Sequence, residues 1–335
     1  MTNPDEEKKA KEVLLAAGIK NPYRLPALIK NQIEFFNLDL SGLTIITEAA
    51  SGPFVVTPIV ACMAGAKRVI AYTKNSTYAS CDEVISQTQA LAQICGTPST
   101  IEIVVERDLS YFREADIVTN LGFVRPLDKE VISLMKKNAV IPLMCEAWEI
   151  RETDLDIETC KKRGVKVYGT NEDYPGLEVF SNSGNLCAKL LFEAQIEIFK
   201  SKILVVSSDK FGVVISRHLI AMGANTTLLY DLKSTAQLES NTFDAVIIAD
   251  YSRSDFIIGD KGDITAQVFA TIFPHTTLIQ FAGQNNTYEL ENKGIVVYPN
   301  VPLSPHKMSQ TLAYLSPRPV IDLHTAGFKV SELVI

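Results

Sequence analysis

The amino-acid sequence predicts an α/β protein built from two doubly wound, parallel-sheet domains. Three observations carry that expectation. Short, continuously apolar, β-rich runs alternate with segments whose apolar residues recur at helical spacing. The runs lack the apolar/polar alternation of a half-exposed strand, as expected where helices cover both faces of a parallel sheet. The alternation also occurs twice, once between about Leu43 and Asn171 and again from Lys202 onward, with one helical segment between the two series.

In the first series the expected strands are LTIIT (43–47), KRVIAYT (67–73), IEIVV (101–105), DIVTNL (116–121), AVIPLM (139–144) and VKVYGT (165–170). The expected helices between them are PFVVTPIVACMAGA, SCDEVISQTQALAQICG, LDKEVISLMKKN and DIETCKKRG. Thr57 and Pro58 read as N-cap and first residue of a helix, after the small-residue turn Ala49 to Gly52. Backbone N–H groups at such a start can hold an anion, although tight strand-to-helix packing explains a single glycine equally well. The segment EVFSNSGNLCAKLLFEAQIEIF (178–199) can form one long connecting helix after Pro175. The second series of strands is ILVV, TTLLY, AVIIAD, TTLIQF and GIVVY. These patterns divide the chain into an α/β domain over 1–176, a linker helix over 177–200 and a second α/β domain over 201–315, leaving a C-terminal segment over 316–335.

Composition narrows the function classes. With 335 residues, of which 47% are hydrophobic and 21% charged, the chain can build two cores without a metal or disulfide staple. The net charge of −7, and a longest basic run of only Lys161-Lys162-Arg163, argue against a nucleic-acid surface. The N-terminus is polar and acidic before it turns amphipathic, unlike a secretory signal. No apolar run approaches the roughly 18 residues of a membrane span, so a cytoplasmic protein is expected. Six cysteines are scattered without a C-x-x-C pair or a neighbouring histidine, so reduced thiols and no metal site are expected. Cys145 lies beside Glu146 and Glu149, which should raise its pKa and keep it from acting as a nucleophile.

The stretch VVSSDKFGVVISRHLIAMGANTTLLYD (205–231) has the frame of a dinucleotide-binding βαβ unit with a rewritten phosphate turn. In the usual G-x-G-x-x-G pattern the glycines allow a tight turn, close backbone approach to pyrophosphate and close helix packing. Here those places hold Ser207, Asp209 and Gly212, so only the third glycine is present. Asp209 would bring a negative charge near the pyrophosphate unless its side chain turns away. Asp231 follows Gly212 by 19 residues at the end of the second strand, where a carboxylate can hold the adenine ribose hydroxyls. If a dinucleotide binds, Asp231 favours NAD over NADP.

Three stretches together resemble the D-isomer-specific 2-hydroxyacid dehydrogenases, also called the formate/glycerate dehydrogenase-like family. RETDLDIETCKKRGVKVYGTNE (151–172) is similar to the end of that family's substrate domain, KILVVSSDKFG…LLYD occupies the place of its Rossmann unit, and YPNVPLSPHKMSQT (298–311) is similar to its proline- and histidine-containing segment. The resemblance implies two Rossmann/flavodoxin-like domains with an interdomain cleft, a C-terminal segment returning toward the first domain, NAD as cofactor and a homodimer. It places His306 in the position of the catalytic acid/base, a role that suits imidazole near neutral pH. It makes Ser207, Asp209, Phe211, Gly212, Asp231 and Gln284 the expected cofactor contacts, and it puts Asn182, at the start of the linker helix, toward the cleft.

The chain also departs from the family. Where the family has an Ala-Arg-Gly whose arginine pairs with the substrate carboxylate, this chain has Ala282-Gly283-Gln284. Where the family holds a carboxylate in a glycine-rich loop, this chain has MCEAWEIRE, with Glu146, Trp148, Glu149 and Arg151. Two carboxylates beside an indole suit an amine, a cation or a sugar better than an anion; their other reading is local pairing and packing. The expected substrate is therefore a small molecule other than a typical 2-hydroxyacid. Three classes stay open: an NAD-dependent oxidoreductase, a non-redox enzyme using His306 with Glu146, Glu149 and Arg151, and a catalytically silent binding or scaffold protein.

Overall fold

A computed structural model describes residues 4–97, 101–237 and 242–335. The chain forms two compact units, Met1–Val179 with Ser316–Ile335, and Phe180–Leu315. No helix among the described residues is long and apolar enough to cross a membrane.

The first unit opens with helices α1 (Pro4–Ala16) and α2 (Leu25–Phe36). Strands and helices then alternate: β1 (Thr44–Glu48), α3 (Val56–Met63), β2 (Arg68–Tyr72), α4 (Cys81–Cys95), β3 (Ile101–Val104), β4 (Ile117–Val118), α5 (Lys129–Leu134), β5 (Val140–Pro142), α6 (Ile157–Arg163) and β6 (Lys166–Tyr168). The sheet order is β3-β2-β1-β4-β5-β6, all parallel, with Ile46 of β1 opposite Ile70 on one side and Val118 on the other. Local signals fix the helix ends. Ser80 and Glu83 form a reciprocal capping box at the start of α4, and Gly96 closes that helix in the left-handed region at φ 71°. Asp128 and Asp156 cap α5 and α6 through their carboxylates.

Helix α3 begins one residue before the expected start, because the turn Gly52–Val55 is a 3-10 turn running directly into it. Thr57 and Pro58 thus lie inside its first turn, where a missing proline N–H costs nothing.

The second unit holds α7 (Ser181–Glu193), β7 (Lys202–Val206), α8 (Lys210–Ala221), β8 (Asn225–Leu229), β9 (Ala245–Ala249), β10 (Phe256–Ile258), α9 (Ala266–Ile272), β11 (Thr277–Ala282), β12 (Gln284–Asn285), α10 (Thr287–Asn292) and β13 (Val296–Tyr298). Its main sheet runs β13-β11-β9-β7-β8, all parallel, with β10 and β12 paired separately. The unbroken apolar runs have a direct cause. Ile203, Val205, Ile247, Ile279 and Phe281 pack on one face with residues of α7 and α8, while Leu204, Val206, Val246, Ile248 and Leu278 pack on the other with Phe269, Phe273 and Leu290. All of these are fully or almost fully buried, and each aliphatic side chain so placed contributes about 1.5–3 kcal/mol.

The connecting helix α7 is shorter than the sequence suggested. Gln195 turns left-handed at φ 61°, Ile196 donates back to the carbonyl of Leu191 at 2.9 Å, and Ile198 enters the core. The chain's last helix, α11 (Arg318–Glu332), returns to the first unit and packs on α2, α3 and β5, with Phe328 fully buried.

Candidate functional site

In doubly wound sheets a ligand crevice opens at the carboxyl ends of the two strands where the connections change direction. In the second unit those strands are β7 and β9. The crevice there is bridged by Asp209. It caps α8, with Oδ1 accepting from the Phe211 amide at 2.9 Å, while Oδ2 accepts from the amides of Tyr251 at 2.7 Å and Ser252 at 3.1 Å. The buried Ser207 hydroxyl accepts from the amides of Asp209 at 3.3 Å and Gly212 at 3.1 Å and donates to Asp209 Oδ1 at 3.1 Å. The Ser208 amide is taken by Oδ2 of buried Asp250 at 2.8 Å. Burial pushes the Asp209 carboxyl up from its ordinary pKa, the amide of Phe211 pulls it down, and nearby Asp250 adds to the rise.

The donors that a pyrophosphate would need at this turn are thus engaged by the chain's own side chains, and a carboxylate sits among them. As arranged, these residues do not fit a pyrophosphate. Gly212 is needed for close packing: a Cβ there would lie 2.6 Å from Ser207 Cβ. Phe211 belongs to the core, its ring within 5.9 Å of those of Phe180, Tyr251 and Phe281. Asp231 lies beyond the end of β8, where Oδ1 accepts from the amide and hydroxyl of Ser234 at 3.0 and 2.9 Å.

His306 stands in the loop after β13, held at φ 56°, an uncommon backbone conformation for a residue with a side chain. Its Nδ1 lies 3.0 Å from the carbonyl oxygen of Tyr251, and its Nε2 lies 3.0 Å from Ser254 Oγ. A carbonyl only accepts, so Nδ1 carries the proton, and in the neutral ring Nε2 accepts from the Ser254 hydroxyl. The loop is fastened on both sides of His306. Gln280 donates to the carbonyl of Val301, Gln284 donates to that of Leu303 at 3.1 Å, and the Ser309 amide donates to that of Phe281 at 2.9 Å. Gln284 is therefore a fastener of the histidine loop.

Glu146, Glu149 and Arg151 belong to the first unit. Glu146 caps the 3-10 turn Ala147–Glu149, and Glu149 Oε1 accepts the Glu146 amide in return at 3.1 Å. Glu146 Oε1 also accepts the amide of Glu172 at 2.9 Å. The carboxylates thus serve the backbone, while Trp148 on the same turn is exposed. Arg151 is exposed and supplies its carbonyl to the Asp154 amide at 3.0 Å. Cys145 has its pKa raised to about 12, first by burial and then by Glu149. The Gly52 amide, offered by the sequence as part of an anion seat, donates to Gln87 Oε1 at 2.9 Å. Asn182, near the start of α7, has its side-chain oxygen 3.5 Å from the Asn185 amide nitrogen.

Sequence reasoning missed Tyr251 and Ser254. The available signal was the polar run Asp250 to Asp255 directly after the buried strand AVIIA, at the carboxyl end of a central strand.

No protein-family model matches the sequence, and neither does any curated protein. Solved structures do resemble it. The dipicolinate synthase structure from Bacillus halodurans is 14% identical over 88% of this chain and 97% of its own, with a TM-score of 0.51. The dipicolinate synthase structure from Bacillus subtilis is 13% identical over 89% and 96%, with a TM-score of 0.49. An NAD+-bound 3-phosphoglycerate dehydrogenase in Entamoeba histolytica is 12% identical over 88% and 95%, with a TM-score of 0.44. At such identities the likeness concerns fold alone. On the first of these similarities, this chain has the dehydrogenase-like α/β fold of the Bacillus halodurans dipicolinate synthase.

Proposed function

We propose that the protein acts on a small molecule by acid/base chemistry at His306, and that it does so without a dinucleotide seated at the turn between β7 and α8. The observation that carries this reading is the Asp209 carboxylate, which accepts the amides of Phe211, Tyr251 and Ser252 across the β7/β9 crevice. A pyrophosphate placed there would lose those donors and face a like charge. That repulsion at about 4 Å costs roughly 1 kcal/mol in water and about 4 kcal/mol near a protein surface. His306 retains what an acid/base group needs: a ring oriented through Nδ1 and a second nitrogen facing a hydroxyl.

A second reading, an NAD-dependent oxidoreductase, is favoured by Asp231 beyond the carboxyl end of β8. It requires Asp209 to leave its seat. Isothermal titration with NAD, NADH, NADP and NADPH separates the two. The first reading expects no saturable heat with any of them. Micromolar binding that Asp231→Ala weakens would overturn it and establish the second.

A further inference from the structure

We propose that Ser254 is a nucleophile and His306 its general base, forming a pair that accepts the acyl group of small carboxylic esters. This deepens the acid/base reading of His306 and rests on it. An activated serine needs a base within hydrogen-bond reach and a third group that orients the base. Ser254 Oγ is 3.0 Å from Nε2, and the Tyr251 carbonyl, 3.0 Å from Nδ1, fixes the tautomer that leaves the Nε2 lone pair facing the hydroxyl.

The supporting loop is held on several sides. The amides of Tyr251 and Ser252 bind Asp209, and Arg253, next to Ser254, forms two hydrogen bonds to buried Asp263 and two to Asp255. His306 keeps its left-handed backbone at φ 56°, a conformation of the kind retained at functional sites. A comparison within the chain sharpens the point. His324 Nδ1 also meets a hydroxyl, Thr57 Oγ1 at 2.8 Å, but that residue is 3% exposed and no substrate can reach it. Ser254 and His306 are both exposed.

In the step, Ser254 Oγ forms a bond to the ester carbonyl carbon while its proton passes to Nε2. The carbon–oxygen bond to the alcohol then breaks, and the alcohol leaves with the proton from Nε2. Water reverses the sequence: it gives its proton to Nε2, bonds to the acyl carbon and releases the acid, and Ser254 recovers its proton.

The test is covalent capture. The full chain is treated with a fluorophosphonate probe, and labelled peptides are mapped by mass spectrometry. Ser254 should be labelled at least tenfold faster than any other serine. Both Ser254→Ala and His306→Gln should remove that label while leaving the circular dichroism spectrum unchanged. With p-nitrophenyl acetate, an early release of nitrophenol should leave acetyl on Ser254. Labelling spread evenly over surface serines, or Ser254 labelling at an unchanged rate in His306→Gln, would overturn the proposal. The two readings fail separately: dinucleotide binding overturns the functional reading whatever Ser254 does, whereas unlabelled Ser254 with no dinucleotide heat overturns the nucleophile alone.

Discussion

The Asp209 carboxylate accepts the Tyr251 amide at 2.7 Å and so ties the turn after β7 to the loop after β9. The first unit repeats the device: Glu48, at the end of β1 and buried, accepts the Phe123 amide after β4 at 3.2 Å. In each unit a strand-end carboxylate spans the place where the sheet connections reverse. Backbone amides that an open crevice would offer to a ligand are used to join two loops.

Removing Asp209 should therefore exchange stability for binding. The variant Ser207→Gly with Asp209→Gly frees five amide donors, those of Asp209, Phe211, Gly212, Tyr251 and Ser252, and withdraws the negative charge. Water reaches part of this turn, so we expect a loss of about 2–3 kcal/mol by urea denaturation. NADH titration of the folded variant should show saturable binding where the native chain shows none. A variant that is destabilised but still silent to NADH would mean that the turn lacks the shape, as well as the charge, for a pyrophosphate.

His324 sets an acid limit on folding. Burial lowers its pKa from 6.5 to about 3, so the unfolded chain takes up a proton before the native one does. Its contribution is fully present above pH 6.5 and is lost as pH falls from there toward 3. The slope is at most about 1.4 kcal/mol per pH unit, or about 2 kcal/mol between pH 6.5 and 5. Urea denaturation across that interval should show a smaller decline for His324→Gln, which removes the titration and keeps a partner for Thr57. Equal slopes in the two proteins would remove His324 as the cause.

Most of the fold was legible because its strands are buried on both faces. Val205 and Leu204 point to opposite cores, yet both must be apolar, so the run reads as a strand without alternation. Strands β10 and β12 were not legible, since three and two residues carry no pattern. The end of α7 depends on Gln195 turning left-handed, which no glycine announced. At the site, His306 was legible from its proline-bounded segment. Its partners were not, because Tyr251 and Ser254 are 55 and 52 residues away and meet it only through the sheet. The sequence raised the charge of Asp209 as an obstacle; that the side chain satisfies amides from two loops required coordinates.

Gly169 carries the turn that holds Trp148. A Cβ at Gly169 would lie 2.5 Å from the Ala147 nitrogen and 2.7 Å from its Cα. Backbone cannot yield as a side-chain tip does, so Gly169→Ala should cost about 2–3 kcal/mol and push the Ala147–Glu149 turn outward. Trp148 is the sole tryptophan, and its fluorescence anisotropy should fall. Adding Ala147→Gly should not restore stability, because the closest atom belongs to the main chain. Full rescue by that second change would contradict this packing.

Arg253 holds the loop that presents Ser254, and its partner makes the cost of losing it predictable. The Asp263 side chain is 1% exposed and takes the guanidinium with both oxygens, at 2.8 and 3.0 Å. Its other contacts are the Leu232 amide at 3.2 Å and the exposed Lys233 ammonium at 3.5 Å. Breaking a buried pair from one side costs about 3–5 kcal/mol, and the lower end applies because Lys233 remains. Arg253→Ala should thus lose about 3 kcal/mol in urea denaturation. Arg253→Lys should recover only part of it, since an ammonium cannot span both oxygens of Asp263 and still reach Asp255. Replacing both partners, as Arg253→Met with Asp263→Leu, should come within about 1 kcal/mol of the native chain, because no buried charge is left alone. Fluorophosphonate labelling of Ser254 should fall in all three variants, the double one included, because each weakens the fork that fixes the backbone beside the serine. Unchanged labelling in the double variant would assign the loop's geometry to Asp209 alone.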